Sequence, residues 1–137
     1  MIANLNIVKH IDDTCPKGLN NIDVENPNNI TNNYVNHIDC LCLDNFTFDK
    51  RNNLFVTIIN KLCLGGTVSI KFINLSLLAS KIEKLEITGE KFSGIFQHIL
   101  SAWSEPEFLD IINQMKLKTN NIYFDQIHTI STLEKTI

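Results

Sequence analysis

Three consecutive segments decide the predicted fold: His37-Ile-Asp-Cys-Leu-Cys-Leu43, the stretch from Asp49 to Leu62, and Thr67-Val-Ser-Ile-Lys-Phe-Ile73. The first is nearly all apolar, which is typical of a strand covered on both faces. The second has its apolar residues at helical spacing, and we expect this helix to stop at Gly65-Gly66. The third is rich in β-formers. This order predicts two parallel strands joined by a right-handed helical crossover.

The N-terminal part of the chain predicts two further strands. Ala3 to Val8 alternates apolar and polar residues, and Leu19 to Val24 does so too. Between them, Asp12 to Gly18 is polar and contains proline and glycine, which predicts a turn or a very short helix. Asn26 to Asn36 is dominated by asparagine and predicts a long loop with at most one short strand at Ile30.

The C-terminal half continues the alternation. Leu75 to Leu85 predicts a second helix, and Glu86 to Trp103 predicts an irregular folded loop over the sheet edge. Ser104-Glu-Pro-Glu107 is a capping box that opens a helix. Asn121 to Thr132 predicts one long strand or a tight hairpin. From Leu133 to Ile137 we expect the terminus to fray.

Length and element order together predict one α/β domain over residues 1–137. The chain has 137 residues, 44% of them hydrophobic, which suits one ordinary globular core. Alternating strands and helices predict an open, Rossmann-like, mostly parallel sheet flanked by helices.

The charge pattern narrows the classes of partner. The net charge is −3, and the lysines and the single arginine, Arg51, are scattered, so nucleic acid binding is not predicted.

No segment predicts a membrane span or a signal peptide, and we expect a cytoplasmic protein with reduced cysteines. Cys40 and Cys42 are too close for a disulfide, and we expect both to be small buried hydrophobic residues. No cysteine or histidine spacing predicts a metal site.

Asparagine and isoleucine each supply about one residue in seven. This bias is typical of AT-rich coding sequence, as found in small marine bacteria, intracellular organisms and viruses. It carries no information about the fold.

Candidate ligand contacts follow from the predicted sheet. Ligands of open α/β sheets bind beyond the carboxyl ends of the strands. This rule selects four segments that follow predicted strands: Val8 to Asp13, Asp23 to Asn26, Leu43 to Thr47 and Asn74 to Ser76. Within them, the candidate side chains are those of Lys9, His10, Asp23, Asp44 and Asn45. The alternative for each is an ordinary polar loop or turn residue.

Several motifs resemble a known family. They are Leu5-Asn-Ile7, Gly18-Leu-Asn-Asn-Ile-Asp23, Ile38-Asp39 and the run Leu62-Cys-Leu-Gly65-Gly66 before a strand. Together they resemble short class I S-adenosylmethionine-dependent methyltransferases. The resemblance implies that fold, in a truncated form, with S-adenosylmethionine as cofactor. It further implies that Asp23, with Glu25 nearby, occupies the place of the ribose-binding carboxylate, and it adds His10 and Asp44 as candidate cofactor contacts.

The chain departs from the family at the turn after the first strand. The family has a glycine-rich turn there, whereas this chain has Val8-Lys9-His10 and no glycine before Gly18. Glycine permits the positive φ and close backbone approach that cofactor binding needs. Between Asp23 and Asp39 there is also little room for the family's third strand. We therefore expect S-adenosylmethionine binding to be weak or absent.

Three functions remain open from the sequence: a methyltransferase with an altered cofactor loop, a degenerate methyltransferase fold retained as a partner-binding or structural protein, viral origin included, and an unrelated small α/β domain. No nucleophile and base pair is identifiable, so catalytic residues and the methyl acceptor are not assigned. Phe92, Phe96 and Trp103 predict a hydrophobic lid or an interface for a partner or a second copy. We expect His98 and His128 to be structural.

Overall fold

The computed structural model describes the backbone of residues 2–8 and 20–23 and, in full, residues 30–40, 43–97, 99 and 101–137. The elements are β1 (Ile2–Val8), β2 (Asn20–Asp23), β3 (Val35–Cys40), α1 (Phe48–Lys61), β4 (Leu62–Ile73), α2 (Leu75–Glu83), α3 (Gly89–Phe96), α4 (Glu105–Gln114), β5 (Leu117–Asp125) and β6 (His128–Lys135). The predicted turn or helix at Asp12 to Gly18 lies outside the described residues. At Ile30 the chain bends and forms no strand.

The strands form one six-stranded sheet in the order β2-β1-β3-β4-β6-β5. The first four are parallel, and β6 is antiparallel to both of its neighbours. The predicted strand, helix and strand unit is confirmed, since β3 and β4 are parallel neighbours connected through α1. The segment predicted as one long strand or a tight hairpin is a hairpin, formed by β5 and β6.

The two glycines lie inside a strand, so the prediction that α1 stops at Gly65-Gly66 is wrong. The helix ends at Lys61, and β4 begins at Leu62. The β4 residues from Leu62 to Thr67 lie opposite only Val35 to His37 of β3, so the extra residues bulge out. Gly65 has φ +77°, and a Cβ on Gly66 would lie 2.9 Å from the carbonyl oxygen of Cys63. Both glycines are therefore needed for the bulge.

The larger hydrophobic cluster lies on one face of the sheet, against α1 and α4, and a smaller one contains Ile73, Leu78 and Ile127. Ile38 and Cys40 of β3 point into the larger cluster, together with alternate residues of β4 and with Phe55 of α1. On the opposite face, His37 and Asp39 are half-exposed and joined by a 3.1 Å contact from Nε2 to Oδ1. The prediction that β3 is covered on both faces is therefore wrong. Successive side chains of a strand point to opposite faces, and only one face of β3 is buried in the larger cluster.

The segment from Glu86 to Trp103 contains a helix that the sequence analysis missed. The side chain of Thr88 accepts a hydrogen bond from the Lys91 amide and caps α3. The capping box of α4 is confirmed: Ser104 Oγ accepts from the Glu107 amide, while the Glu107 carboxylate accepts from the Ser104 amide. The prediction of an irregular loop is thus wrong over Gly89–Phe96.

The expected frayed end is also wrong for most of its length. β6 continues to Lys135, and the Leu133 side chain is fully buried. Lys135 Nζ donates hydrogen bonds to the carbonyl oxygen of Leu62 and to Oδ1 of Asn33. Only Thr136 and Ile137 follow the strand.

Candidate functional site

One predicted site residue, Asp23, lies where β1 and β2 have their carboxyl ends. Val8 ends β1, Asp23 ends β2, and the two residues are partners in the parallel register. Asp23 therefore lies at the sheet edge where ligands of open α/β sheets bind. Lys9, His10 and Glu25 lie outside the described residues.

Asp44 lies at the carboxyl end of the neighbouring strand β3. It belongs to a short 3-10 helix, Leu43–Asn45, and only 6% of its surface is exposed. Burial raises the pKa of its carboxyl group to about 6, although hydrogen bonds from the backbone amides of Ile73 and of Asp44 itself and the charges of Lys71 and Arg51 act in the opposite direction. The carboxyl group is thus directed into the protein, at the end of β4.

Residues 101–103 cover the same end of the sheet. The Ser101 amide donates to the carbonyl oxygen of Asp44 at 3.2 Å, and the Trp103 amide donates to that of Ile73 at 3.0 Å. The Leu75 amide donates in turn to the Trp103 carbonyl oxygen. Backbone groups near the strand ends are thus hydrogen-bonded to other backbone groups of the same chain. Residues 101–103 therefore lie over the ends of β3 and β4.

Arg51 fixes this segment from the side of α1. Its side chain is 1% exposed, its Nη1 donates to the Ala102 carbonyl oxygen at 2.8 Å, and its guanidinium stacks 4.2 Å from the Trp103 ring centroid. Burial lowers the pKa of Arg51, while the charges of Glu107 and Asp44 act against that shift. The sequence does not reveal this role of Arg51, because Ala102 and Trp103 lie more than 50 positions away along the chain.

Asn74, at the end of β4, holds the start of α2. Its Oδ1 accepts hydrogen bonds from the amides of Ser76 and Leu77, and its Nδ2 donates to Thr129 Oγ1 at 3.0 Å. Asn74 is buried, so its polar groups are used within the fold. The rule on strand ends had selected this position, and the structure gives it a capping function.

A cavity of about 610 Å³ lies farther along this edge, where α2 and α3 meet the β5–β6 turn. Its lining includes Lys81, Lys91 and His128 with an apolar floor of Ile87, Ile95 and Ile127. Burial lowers the pKa of His128, and nearby Lys71 acts in the same direction. The other predicted structural histidine, His98, lies outside the described residues.

The predicted aromatic surface divides into two parts. Trp103 is 1% exposed and packs with the rings of Phe55, Phe72 and Phe108. Of the two predicted alternatives, a lid or an interface, it is therefore not an interface residue, because the protein itself buries it. Phe92 and Phe96 are each 44% exposed, with ring centroids 4.7 Å apart on α3. Of the three predicted aromatic residues, Phe92 and Phe96 are the two that remain available to a partner.

Three further observations concern membrane crossing, metal binding and a cysteine among the described residues. No helix is long and apolar enough to cross a membrane. No three side chains among histidine, cysteine, aspartate and glutamate come together as a metal site within the described ranges. Cys40, expected as a small buried hydrophobe, is fully buried.

The pKa of Asp44 predicts a pH-dependent contribution to stability. Because its pKa in the folded protein, about 6, lies above the ordinary 3.8, the folded state holds the extra proton between these values. Stability contributed by Asp44 is therefore present at low pH and is lost as pH rises through this window, by at most about 3 kcal/mol. Asp44→Asn keeps an oxygen acceptor and should remove this dependence.

The measurement is the free energy of unfolding of both proteins by urea from about pH 4 to 7. We expect the variant to gain about 2–3 kcal/mol relative to wild type across that range. Asp110→Asn, on the exposed face of α4, is the control and should show no such trend. A difference between Asp44→Asn and wild type that is independent of pH would contradict the assignment.

Comparisons with known proteins show which fold this is. No protein-family model matches the sequence, and no curated protein does. Solved structures do match. A S-adenosylmethionine-dependent methyltransferase from Archaeoglobus fulgidus aligns with TM-score 0.68 and 10% identity, over 98% of this chain and 86% of the other.

Two longer proteins align with parts of their length. The complex between a methyltransferase activator and a methyltransferase from Haloferax volcanii gives TM-score 0.62 and 10% identity, over 90% of this chain and 65% of that one. An O-methyltransferase family protein from Burkholderia thailandensis gives 0.60 and 9%, over 86% and 36%. The chain thus spans less than two thirds of these two proteins. At such identities the likeness concerns the fold, and this chain has a truncated class I methyltransferase-like fold.

Proposed function

We propose that this chain is a methyltransferase-like protein without methyl transfer activity, which binds S-adenosylmethionine weakly or not at all and acts through contacts with a partner. The observation that carries this proposal is that residues 101–103 lie over the ends of β3 and β4. Asp44 is buried there, and residues 101–103 are hydrogen-bonded over the strand ends. A sulfonium group and a methyl acceptor would have to share that edge of the sheet.

The sequence that follows β1 supports the same conclusion. β1 extends through Val8, the next two residues in the sequence are Lys9 and His10, and no glycine precedes Gly18. A residue with a Cβ adopts positive φ only at a cost, and its side chain hinders close approach of a ligand to the backbone. Several kcal/mol of such hindrance is large against the ~7–8 kcal/mol that micromolar binding represents.

Asp23 is the strongest proposed cofactor contact, because its position at the end of β2 next to Val8 suits a ribose hydroxyl acceptor. A charge-assisted hydrogen bond contributes on the order of 1–3 kcal/mol, which does not offset the hindrance expected from a segment without glycine. His10 and Glu25 stay proposed contacts from the sequence. Asp44 is proposed as a support of the strand end, since its carboxyl group is buried.

Titration of the purified chain with S-adenosylmethionine tests this proposal. We expect calorimetry to give a dissociation constant weaker than about 100 μM, with Asp23→Ala reducing any residual binding. Asp110→Ala, which removes an exposed carboxylate on α4, should match wild type. Micromolar binding that is lost in Asp23→Ala and kept in Asp110→Ala would overturn the non-catalytic proposal and favour a methyltransferase with an altered loop.

That second candidate function has one specific observation in its favour. The cavity of about 610 Å³ beside α2 and α3 lies at the same sheet edge as Asp23 and is large enough for a small methyl acceptor. The partner-binding function is supported instead by the exposed Phe92–Phe96 pair. The matching Haloferax volcanii structure is itself a complex with an activator, so a methyltransferase with this fold can carry a protein partner.

A further inference from the structure

The outer edge of the sheet ends in an exposed strand, β5. It pairs with β6 on one side only, because it is the last strand in the sheet order. Its central residues Ile122, Tyr123 and Phe124 are 45%, 51% and 60% exposed. An open edge of this kind presents unpaired backbone donors and acceptors that a further strand can use.

A bulge determines which β5 side chains share a face. The register with β6 passes from Thr119↔Leu133 to Asn121↔Thr132, so Asn120 is the extra residue. Lys118 lies opposite Glu134 and Asp125 opposite His128, while Glu134 and His128 are an even number of residues apart on β6. Lys118 and Asp125 therefore project from the same face of the sheet, although seven positions separate them.

We propose that β5 pairs antiparallel with β5 of a second copy of this chain, about a two-fold axis through Ile122, so that the two sheets become continuous. Counting along the strand without the bulged Asn120, Ile122 lies midway between Lys118 and Asp125. In this register the Lys118 of each copy is opposite the Asp125 of the other. Closed two-fold pairing uses the same surface twice, as homodimers commonly do.

On each face of the paired strands, the side chains of one copy suit those of the other. On the face that carries Lys118, the Lys118 of each copy lies opposite the Asp125 of the other, which gives two pairs of opposite charge. On the face toward α4, Ile122 meets Ile122, and Thr119 meets Phe124 of the other copy. Opposed side chains on antiparallel strands lie about 4.5–5.5 Å apart, which suits both kinds of pair.

The charges at the two ends of β5 favour a second copy of this chain as the partner of the strand. Exposed edges are usually protected by charged side chains near their centre. Here residues 119–124 are uncharged, and the flanking charges have opposite signs, so an antiparallel copy is attracted at both ends. Neither Lys118 nor Asp125 makes an ion pair with any residue that the structure describes. Leu109 of α4, 50% exposed and in the same groove as Ile122 and Phe124, extends the apolar contact.

Sedimentation equilibrium of the full chain over a range of concentrations tests the pairing. We expect wild type to dimerise, with Lys118→Asp and Asp125→Lys each weakening the dimer at least about ten-fold because like charges then face each other. The double variant Lys118→Asp/Asp125→Lys should recover the wild-type dissociation constant. This recovery depends on the register and not on the fold alone.

A second pair of variants tests the position of the axis. Ile122→Lys places two ammonium groups at the two-fold axis and should give a monomer, while Ile82→Lys, at a similarly exposed site on α2, should leave the dimer unchanged. Circular dichroism confirms that each variant folds. Wild type that stays monomeric at about 100 μM, or a double charge variant that fails to recover, would overturn the proposal. Neither result depends on whether S-adenosylmethionine binds.

Discussion

Replacing Trp103 with alanine is expected to lower the free energy of unfolding by about 3–5 kcal/mol. The indole is 1% exposed, and its ring contacts Phe55, Phe72 and Phe108. It also stacks on the guanidinium of Arg51, which is itself 1% exposed. The variant would leave a cavity and remove the aromatic partner of a buried cation.

Thermal unfolding should show this loss as a decrease of about 10–20 °C in Tm. Phe92→Ala is the matched control, since Phe92 is 44% exposed and should change the stability by less than about 1 kcal/mol. Trp103→Phe should be milder than Trp103→Ala, because the buried indole N–H has no acceptor among the described residues. Equal effects of Trp103→Ala and Phe92→Ala would contradict the central position of Trp103.

Leu133→Ala is expected to cost about 2–5 kcal/mol of stability, although only four residues follow Leu133 in the sequence. Its side chain is fully buried between the sheet and the helices, and β6 pairs with both β4 and β5 at this point. Ile137→Ala serves as the control because Ile137 is 66% exposed. Urea unfolding gives both values. A Leu133→Ala variant as stable as Ile137→Ala would mean that the end of the chain frays after all.

The sequence predicted positions at the strand ends, and their role in binding a ligand stays a prediction. The general rule on strand ends selected Asp23 and the Asn74 to Ser76 segment, and the structure places Asp23 at the end of β2 and Asn74 at the end of β4. The rule could not tell a ligand contact from a structural polar group. Asp44 illustrates this: the pattern of an acidic residue after a strand is the same in either case, and only its burial by β4 and residues 101–103 reveals its environment.

The sequence by itself determined the elements whose signals are local. The apolar spacing of α1 and the capping box of Ser104 and Glu107 involve residues three or four positions apart, and such neighbours contact each other in any helix. The parallel pairing of β3 and β4 followed from the short helical connection between them.

Only the tertiary structure decided how exposed the remaining residues are. Phe92, Phe96 and Trp103 have the same hydrophobic character in sequence, yet Trp103 is buried because Arg51 of α1 and Phe72 of β4 surround it. Gly65 and Gly66 serve a bulge instead of a helix end, since the register with β3 requires extra residues there. Burial and register depend on contacts between residues far apart in the chain, which periodicity does not encode.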